Sequence, residues 1–165
     1  MKSFYPKKSS VLMLSPLALA IFVLQPVQAV AFTATVEKGA VVDGEVVTAG
    51  QQNIGAGGTA NNSLIEAGGT QAVFLHGVTN DATVNGRQLV QSGTANRTVV
   101  NLGGSQLVGT GGVANGTVLN GGSQTVQNPA SSVSDTEINA GGVQTVTLGA
   151  SAANTVVNEG GVQTL

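Results

Sequence analysis

The chain has 165 residues, of which 24 are glycine, none is cysteine or tryptophan, and only 8% are charged. A single histidine and no cysteine exclude multi-histidine metal sites, thiolate ligands and disulfides, and we expect neither a cofactor nor a metal. The formal net charge of −2 leaves no basic patch for a nucleic-acid backbone, so no nucleic-acid partner is expected. The composition therefore points away from an enzyme and towards a structure built of small repeated parts.

Residues 1–29 have the three parts of a secretory signal peptide. Positive charge comes from lysines within residues 2–8, an apolar run follows from Val11 to Leu24, and small residues allow cleavage after Ala29 or Ala31. The apolar run of about 14 residues is shorter than the roughly 20 that a membrane-spanning helix needs. We therefore expect the secretion machinery to export the chain across an inner membrane.

One repeat of about 19 residues occupies 39–165, after a lead-in at 30–38. A glutamine follows a glycine-rich corner in each of seven units, at steps of 17 to 20 residues. These glutamines are Gln52, Gln71, Gln88, Gln106, Gln124, Gln144 and Gln163. A small or hydroxylated marker residue lies half a unit away, at Gly44, Ser63, Ala82, Thr98, Thr117, Thr136 and Thr155.

Three further columns keep the same phase, which indicates that the units are structurally equivalent. Two residues after the marker stands an aliphatic residue: Val46, Ile65, Val84, Val100, Leu119, Ile138 and Val157. Three residues before the marker stand Val41, Ala60, Thr79, Ala95, Ala114, Val133 and Ala152. Two residues after the glutamine stand Ile54, Val73, Val90, Val108, Val126, Val146 and Leu165.

Each unit contains short β-branched stretches between Gly, Asn and Ser corners, which is typical of strands and turns. A unit of this size cannot bury its own apolar face, so the units must stack. The sequence thus predicts an all-β parallel β-helix, a solenoid of about seven coils of 19 residues. Because neighbouring strand residues alternate faces, the aliphatic, glutamine and threonine columns are predicted to point inwards.

Two columns of carboxamides are predicted to form structural ladders. A buried glutamine is costly unless it is paired, and glutamines one coil apart can hydrogen-bond to each other. A second column comes directly after the aliphatic residue that stands two positions after the marker. It lies at a corner that favours a residue tolerant of the left-handed conformation. Its members are Asn85, Asn101, Asn120, Asn139 and Asn158.

Several isolated motifs are interpreted as products of the repeat and not as sites. Glycine-rich stretches at 55–60 and 109–114 resemble a dinucleotide fingerprint but open no helix. His76 has no partner column and is expected at a surface corner. Glu45 and Glu137 share the position after the marker but are expected five coils apart, too far for a catalytic pair.

The repeat resembles the passenger repeat of AIDA-type self-associating autotransporter adhesins. The resemblance is carried by Gly104-Ser105-Gln106-Leu107-Val108 and Gly112-Val113-Ala114-Asn115-Gly116-Thr117-Val118-Leu119, and it covers 39–165. It implies a right-handed parallel β-helix on the surface of a Gram-negative bacterium. It also implies adhesion, autoaggregation and biofilm formation through contacts with itself or with a host or abiotic surface.

Members of that family end in a membrane β-barrel, and this sequence has no room for about a dozen strands of 9–11 residues. We therefore expect a truncated chain or the leading part of a longer passenger, with a coil left incomplete at the C-terminus. For the full-length family the location is the outer membrane and cell surface, and for a truncated chain it is the periplasm. Two alternatives stay open: an inactive remnant of such a gene and a carbohydrate-active β-helix.

Overall fold

The computed structural model describes residues 32–165, which fold into 22 short strands without a helix. The expected signal peptide, 1–29, lies outside the described residues. The strands form three parallel sheets that run the length of the molecule, and each coil contributes one strand to every sheet in turn. The predicted parallel β-solenoid of about seven coils, spaced about 19 residues apart, is confirmed.

Sheet 1 has eight strands: β1 (Phe32–Val36), β4 (Gly50–Ile54), β7 (Gly69–Phe74), β10 (Arg87–Gln91), β13 (Ser105–Gly109), β16 (Ser123–Val126), β19 (Val143–Val146) and β22 (Val162–Thr164). Sheet 2 has seven: β2 (Val41–Asp43), β5 (Thr59–Asn61), β8 (Val78–Asn80), β11 (Thr94–Asn96), β14 (Val113–Asn115), β17 (Ser132–Ser134) and β20 (Ser151–Ala153). Sheet 3 also has seven: β3 (Val46–Val47), β6 (Leu64–Ile65), β9 (Thr83–Val84), β12 (Val99–Asn101), β15 (Val118–Asn120), β18 (Glu137–Ile138) and β21 (Val156–Val157).

The core is a narrow bore filled by single columns of small and aliphatic side chains. Val84, Val100 and Leu119 in sheet 3 are fully buried, and Val90 and Val108 fill the corresponding place in sheet 1. Alternate residues of each strand point outwards and are partly or fully exposed. Strand alternation therefore separates the buried aliphatic, glutamine and threonine columns from the outward columns within strands of only two to six residues.

The first coil differs from the predicted alignment by one residue. Val42, and not Val41, pairs with Ala60 in sheet 2. Val47 lies beside Ile65 and is fully buried, whereas Val46, the predicted core residue, points outwards. The marker position is accordingly held by Glu45, whose carbonyl accepts from the amide of Leu64. The prediction was wrong because Gly44 was aligned with the marker column.

Gly44 belongs instead to a corner at which every coil adopts a left-handed backbone conformation. This corner joins sheet 2 to sheet 3. Its residues are Gly44, Asn62, Asp81, Arg97, Gly116, Asp135 and Asn154, with φ between 53° and 67°. Asn and Asp tolerate this conformation better than other residues with a side chain, and glycine has no penalty there. The first coil could have been aligned correctly from the sequence by matching Gly44 with Gly116, which directly precedes the marker Thr117.

The expected left-handed conformation of the second asparagine column is wrong. Asn101 and Asn139 have ordinary φ values, and the chain turns later, at Gly103 and Gly141 with φ of 85° and 76°. The glycine that follows each turn, such as Gly104, has an ordinary φ. Glycine is required there because no side chain fits: a Cβ at Gly104 would overlap the carbonyl oxygen of Val84 on the preceding coil.

Part of the expected lead-in, 30–38, contributes to the solenoid. Strand β1 pairs with β4 in register, so that Ala34 lies beside Gln52 and Val36 beside Ile54. Val36 is buried against the first complete coil. In the part of the chain that the structure describes, no helical segment has the length and hydropathy of a membrane span.

Candidate functional site

The glutamine column forms a continuous ladder inside the bore. In the central coils the Gln106 Nε2 donates to Gln88 Oε1 at 2.6 Å, and Gln124 Nε2 donates to Gln106 Oε1 at 2.6 Å. The remaining steps, from Gln71 to Gln52, Gln88 to Gln71, Gln144 to Gln124 and Gln163 to Gln144, each measure 2.7 Å. Every bond runs in one direction, from the amide of one coil to the carbonyl of the coil before it.

The ladder ends at a carboxylate in the first coil. On the preceding strand Gln52 lies beside Ala34, which has no amide side chain, and the Gln52 Nε2 donates to Glu45 Oε2. Glu45 can reach inwards because it takes the marker position, which points into the bore. It therefore does not share a position with Glu137, which points outwards from sheet 3 five coils away. The two carboxylates cannot act on one substrate.

The hydroxyl column supports the ladder unevenly. Thr98 and Thr117 donate to Gln88 Oε1 and Gln106 Oε1 at 3.3 and 3.2 Å. The Thr136 hydroxyl is in the same column and buried, yet it has no hydrogen-bond partner among the described residues. The hydroxyls thus add a second donor to some of the glutamine carbonyls but are not a continuous row.

The asparagine column predicted from the sequence forms an interrupted ladder on the surface. Asn101 donates to Asn85 at 2.9 Å, Asn139 to Asn120 at 2.8 Å and Asn158 to Asn139 at 2.7 Å. No such bond joins Asn120 to Asn101 within residues 32–165.

A second asparagine ladder, at the end of the sheet 2 strands, was not predicted. Its members are Asn61, Asn80, Asn96 and Asn115, joined at 2.9 to 3.0 Å, and Ser134 donates to the last of them. The signal was present in the sequence, since each of these residues comes directly after the small residue of the sheet 2 column. The rod therefore carries two asparagine rows, one on either side of the left-handed corner.

That corner holds an ion pair between adjacent coils. Arg97 Nε and Nη2 donate to the two carboxylate oxygens of Asp81, both at 2.7 Å. This bidentate hydrogen bond, helped by the attraction between the charges, holds the pKa of Asp81 below its usual range. The same contact raises the pKa of Arg97.

We expect the ion pair to contribute a small stability that disappears in acid. Because the pKa of Asp81 is lowered by folding, its contribution is present above the pKa of the unfolded chain and is lost as the pH falls through the folded value. Both side chains are exposed, so the effect on the urea midpoint at neutral pH is small. The contribution is measured by comparing the urea midpoints of Asp81→Asn, Arg97→Gln and the double variant with that of the parent. We expect the double variant to lose no more stability than either single variant, because each single change already breaks the ion pair. A double variant whose loss equals the sum of the two single losses would contradict this coupling.

The outer faces of sheets 2 and 3 present columns of Val, Thr and Ser. The outer column of sheet 2 is Val41, Thr59, Val78, Thr94, Val113, Ser132 and Ser151. The outer column of sheet 3 is Val46, Leu64, Thr83, Val99, Val118, Glu137 and Val156. Among these positions Glu137 alone carries charge. Equivalent residues are spaced by one coil, about 4.8 Å.

The other sequence motifs lie at corners. His76 is exposed at the corner between sheets 1 and 2, with φ of 67°, and its amide donates to the carbonyl of Ser92. The two glycine-rich stretches, 55–60 and 109–114, occupy this same corner in two different coils and lead into sheet 2 strands. Within the described residues no three His, Cys, Asp or Glu side chains are grouped for metal binding.

Comparison with known proteins identifies a structural relative. No protein-family model matches the sequence, and the search of curated proteins finds no match. The crystal structure of a hyper-glycosylated TibA fragment (residues 55–350 of TibA), whose glycosylation TibC catalyses, superposes with a TM-score of 0.58 and 27% sequence identity. The match covers 80% of this chain and 63% of the TibA fragment, so the chain spans less than two thirds of that fragment's length. The two proteins therefore share the stacked β-solenoid architecture.

Proposed function

We propose that this chain is an adhesive segment of an autotransporter passenger, which binds other copies of itself or a host or abiotic surface through the sides of the rod. The proposal is supported by the likeness to TibA, an adhesin of the AIDA type. It is also supported by the repeat that the sequence shares with that family, between residues 39 and 165.

The observation that carries the proposal is the nearly uncharged pair of outer columns on sheets 2 and 3. An acidic protein repels its own copies, and this repulsion is weakest where a face has no charge. Val99 and Val118 on one face, and Thr94 and Val113 on the other, lie half-buried and in register. A second rod can approach these faces closely, because Glu137 is the single charged group of the outer columns that has to lose its water there.

We expect negative charges on these columns to weaken association. One variant carries Val99→Glu and Val118→Glu on sheet 3, and a second carries Thr94→Glu and Val113→Glu on sheet 2. Each is expressed within a carrier passenger that has its own membrane anchor, and settling and biofilm are measured. At least one variant should reduce settling several-fold, because two added glutamates one coil apart repel the same face of another acidic rod.

The matched control carries two glutamates outside the columns, at Leu102 and Leu148, which are exposed corner residues. It should settle like the parent, since it adds equal charge away from the proposed contact. If both column variants fold and settle like the parent, the adhesive proposal fails and an inactive remnant becomes the better interpretation.

The proposal includes export through the leader at 1–29 and display outside the inner membrane. This follows from the lysines, apolar run and cleavage site of the leader. Cell fractionation tests it together with N-terminal sequencing of the mature protein, which should begin at Val30 or Phe32. Recovery of the uncleaved chain in the cytoplasm contradicts it.

A further inference from the structure

The surface between sheet 3 and sheet 1 has a recess at the third coil. There only Asn85-Gly86 lie between Val84 and Arg87, whereas four residues, 66–69 and 101–104, lie between the equivalent positions of the neighbouring coils. The two neighbours therefore extend beyond the third coil on either side. The resulting recess measures about 340 Å³, at the lower end of the range for small-molecule sites.

The polar side chains that line this recess can all donate hydrogen bonds. Arg87 lies at its side, with Thr70 on the preceding coil and Ser105 on the following coil in the same outward column. Within residues 32–165 the Arg87 guanidinium has neither an ion pair nor a side-chain hydrogen bond, whereas Arg97 is bound to Asp81. Among the described residues no Asp or Glu belongs to the lining, and Glu66 borders it at the corner of the preceding coil.

Asn85 adds an oriented amide. Its Oδ1 accepts from Asn101 Nδ2 at 2.9 Å, which holds the carboxamide in place. Its Nδ2 makes no side-chain hydrogen bond among the described residues. The preceding coil has Glu66 at the equivalent position, so the asparagine ladder ends here. A fixed amide, a guanidinium and two hydroxyls thus surround one space.

We propose that this recess binds the carboxylate of an acidic sugar, with Arg87 as the charged anchor. A guanidinium binds a carboxylate through two parallel hydrogen bonds, which sets the orientation of the sugar ring. Thr70 and Ser105 lie one strand spacing, about 4.8 Å, to either side of Arg87, and their hydroxyls can meet ring hydroxyls that an isolated anion lacks. The site is open to water, so we expect a dissociation constant of about 1 mM.

The binding of glucuronate, glucose and acetate to the purified protein tests the proposal. Chemical shifts of backbone amides are followed by NMR as each compound is added. Glucuronate should shift the amides of residues 85–87 and saturate. Glucose, which has the ring without the carboxylate, and acetate, which has the carboxylate without the ring, should each bind at least about ten-fold more weakly.

Two arginine variants complete the experiment. Arg87→Gln should weaken glucuronate binding at least about ten-fold, since it removes the charged fork. Arg97→Gln is the matched control and should bind like the parent. Circular dichroism verifies that both fold, and Thr70→Ala with Ser105→Ala provides a second test that keeps Arg87.

Each outcome bears on the proposal. Equal binding of acetate and glucuronate overturns the sugar assignment and leaves only an anion site. Unchanged glucuronate binding by folded Arg87→Gln overturns the role of Arg87, and unchanged binding by the Thr70 and Ser105 variant overturns the role of the hydroxyls. Binding at this recess does not require contact between rods. A settling assay that contradicts the adhesive proposal therefore does not count against the sugar site.

Discussion

Replacing Gln106 with leucine should lower the free energy of unfolding by about 3 kcal/mol. The leucine keeps most of the side-chain volume but removes every hydrogen bond that Gln106 makes. Gln124 Nε2 and the Thr117 hydroxyl lose their acceptor, and Gln88 Oε1 loses its main donor. All three groups stay buried, and a buried polar group without a partner costs about 1–3 kcal/mol.

Urea unfolding followed by circular dichroism measures this effect. The control is Gln91→Leu, a glutamine of the same sheet whose side chain is exposed, and it should change the stability by less than about 0.5 kcal/mol. Similar midpoints for the two variants would show that the ladder adds nothing beyond packing. Because coils interact mainly with their neighbours, the transition of Gln106→Leu should also become broader.

The sequence was sufficient to predict the fold because each coil repeats the same chemistry. The aliphatic columns, the inward threonines and the parallel stacking follow from strand parity and from the need of each unit to bury one face. The glutamine column could be found for the same reason. An inward-pointing amide at each repeat requires a partner, and the equivalent amide on the next coil is the nearest one.

The parts that could not be predicted depend on backbone geometry at the corners. Gly44 matches a small marker by residue type, but its φ of 67° assigns it to the left-handed corner. This shift by one residue also hid the role of Glu45 at the end of the ladder. The recess beside Arg87 depends on how a two-residue deletion alters the outline of the corner, which the columns alone do not show.

Gly104→Ala should destabilise the solenoid by about 3 kcal/mol or prevent folding. A Cβ at this position would overlap the carbonyl oxygen of Val84 and lie 3.0 Å from the carbonyl oxygen of Asn101. Both obstacles are backbone atoms held by the stacking of the coils, so neither can move as a side-chain tip would. The adjacent coils have glycine at the same position, at Gly86 and Gly122.

Gly103, the residue before Gly104, provides a matched control because glycine is favoured there by backbone conformation and not by lack of space. Gly103 has φ of 85° and open space around its Cβ position, so Gly103→Ala should cost only the left-handed strain of about 1–2 kcal/mol. Gly103→Asn should cost less than Gly103→Ala, since asparagine tolerates this conformation. Thermal and urea unfolding distinguish the variants.

If Gly104→Ala does not fold, Gly142→Ala keeps the prediction testable. Its Cβ would lie 2.7 Å from the carbonyl oxygen of Leu119, a less severe overlap that should leave a measurable folded state. A ranking in which Gly103→Ala is the most damaging of the three contradicts the argument from space.

The single direction of the glutamine ladder gives the rod an electrical axis. Backbone amides alternate in direction along a strand, so their dipoles largely cancel in a sheet. The side-chain amides from Gln163 to Gln52 do not alternate, and their dipoles add along the bore with the positive end at the first coil. The carboxylate of Glu45 lies at that end and offsets the accumulated positive potential. The two ends of the solenoid are therefore electrostatically different, and a stack of such coils has a defined head and tail.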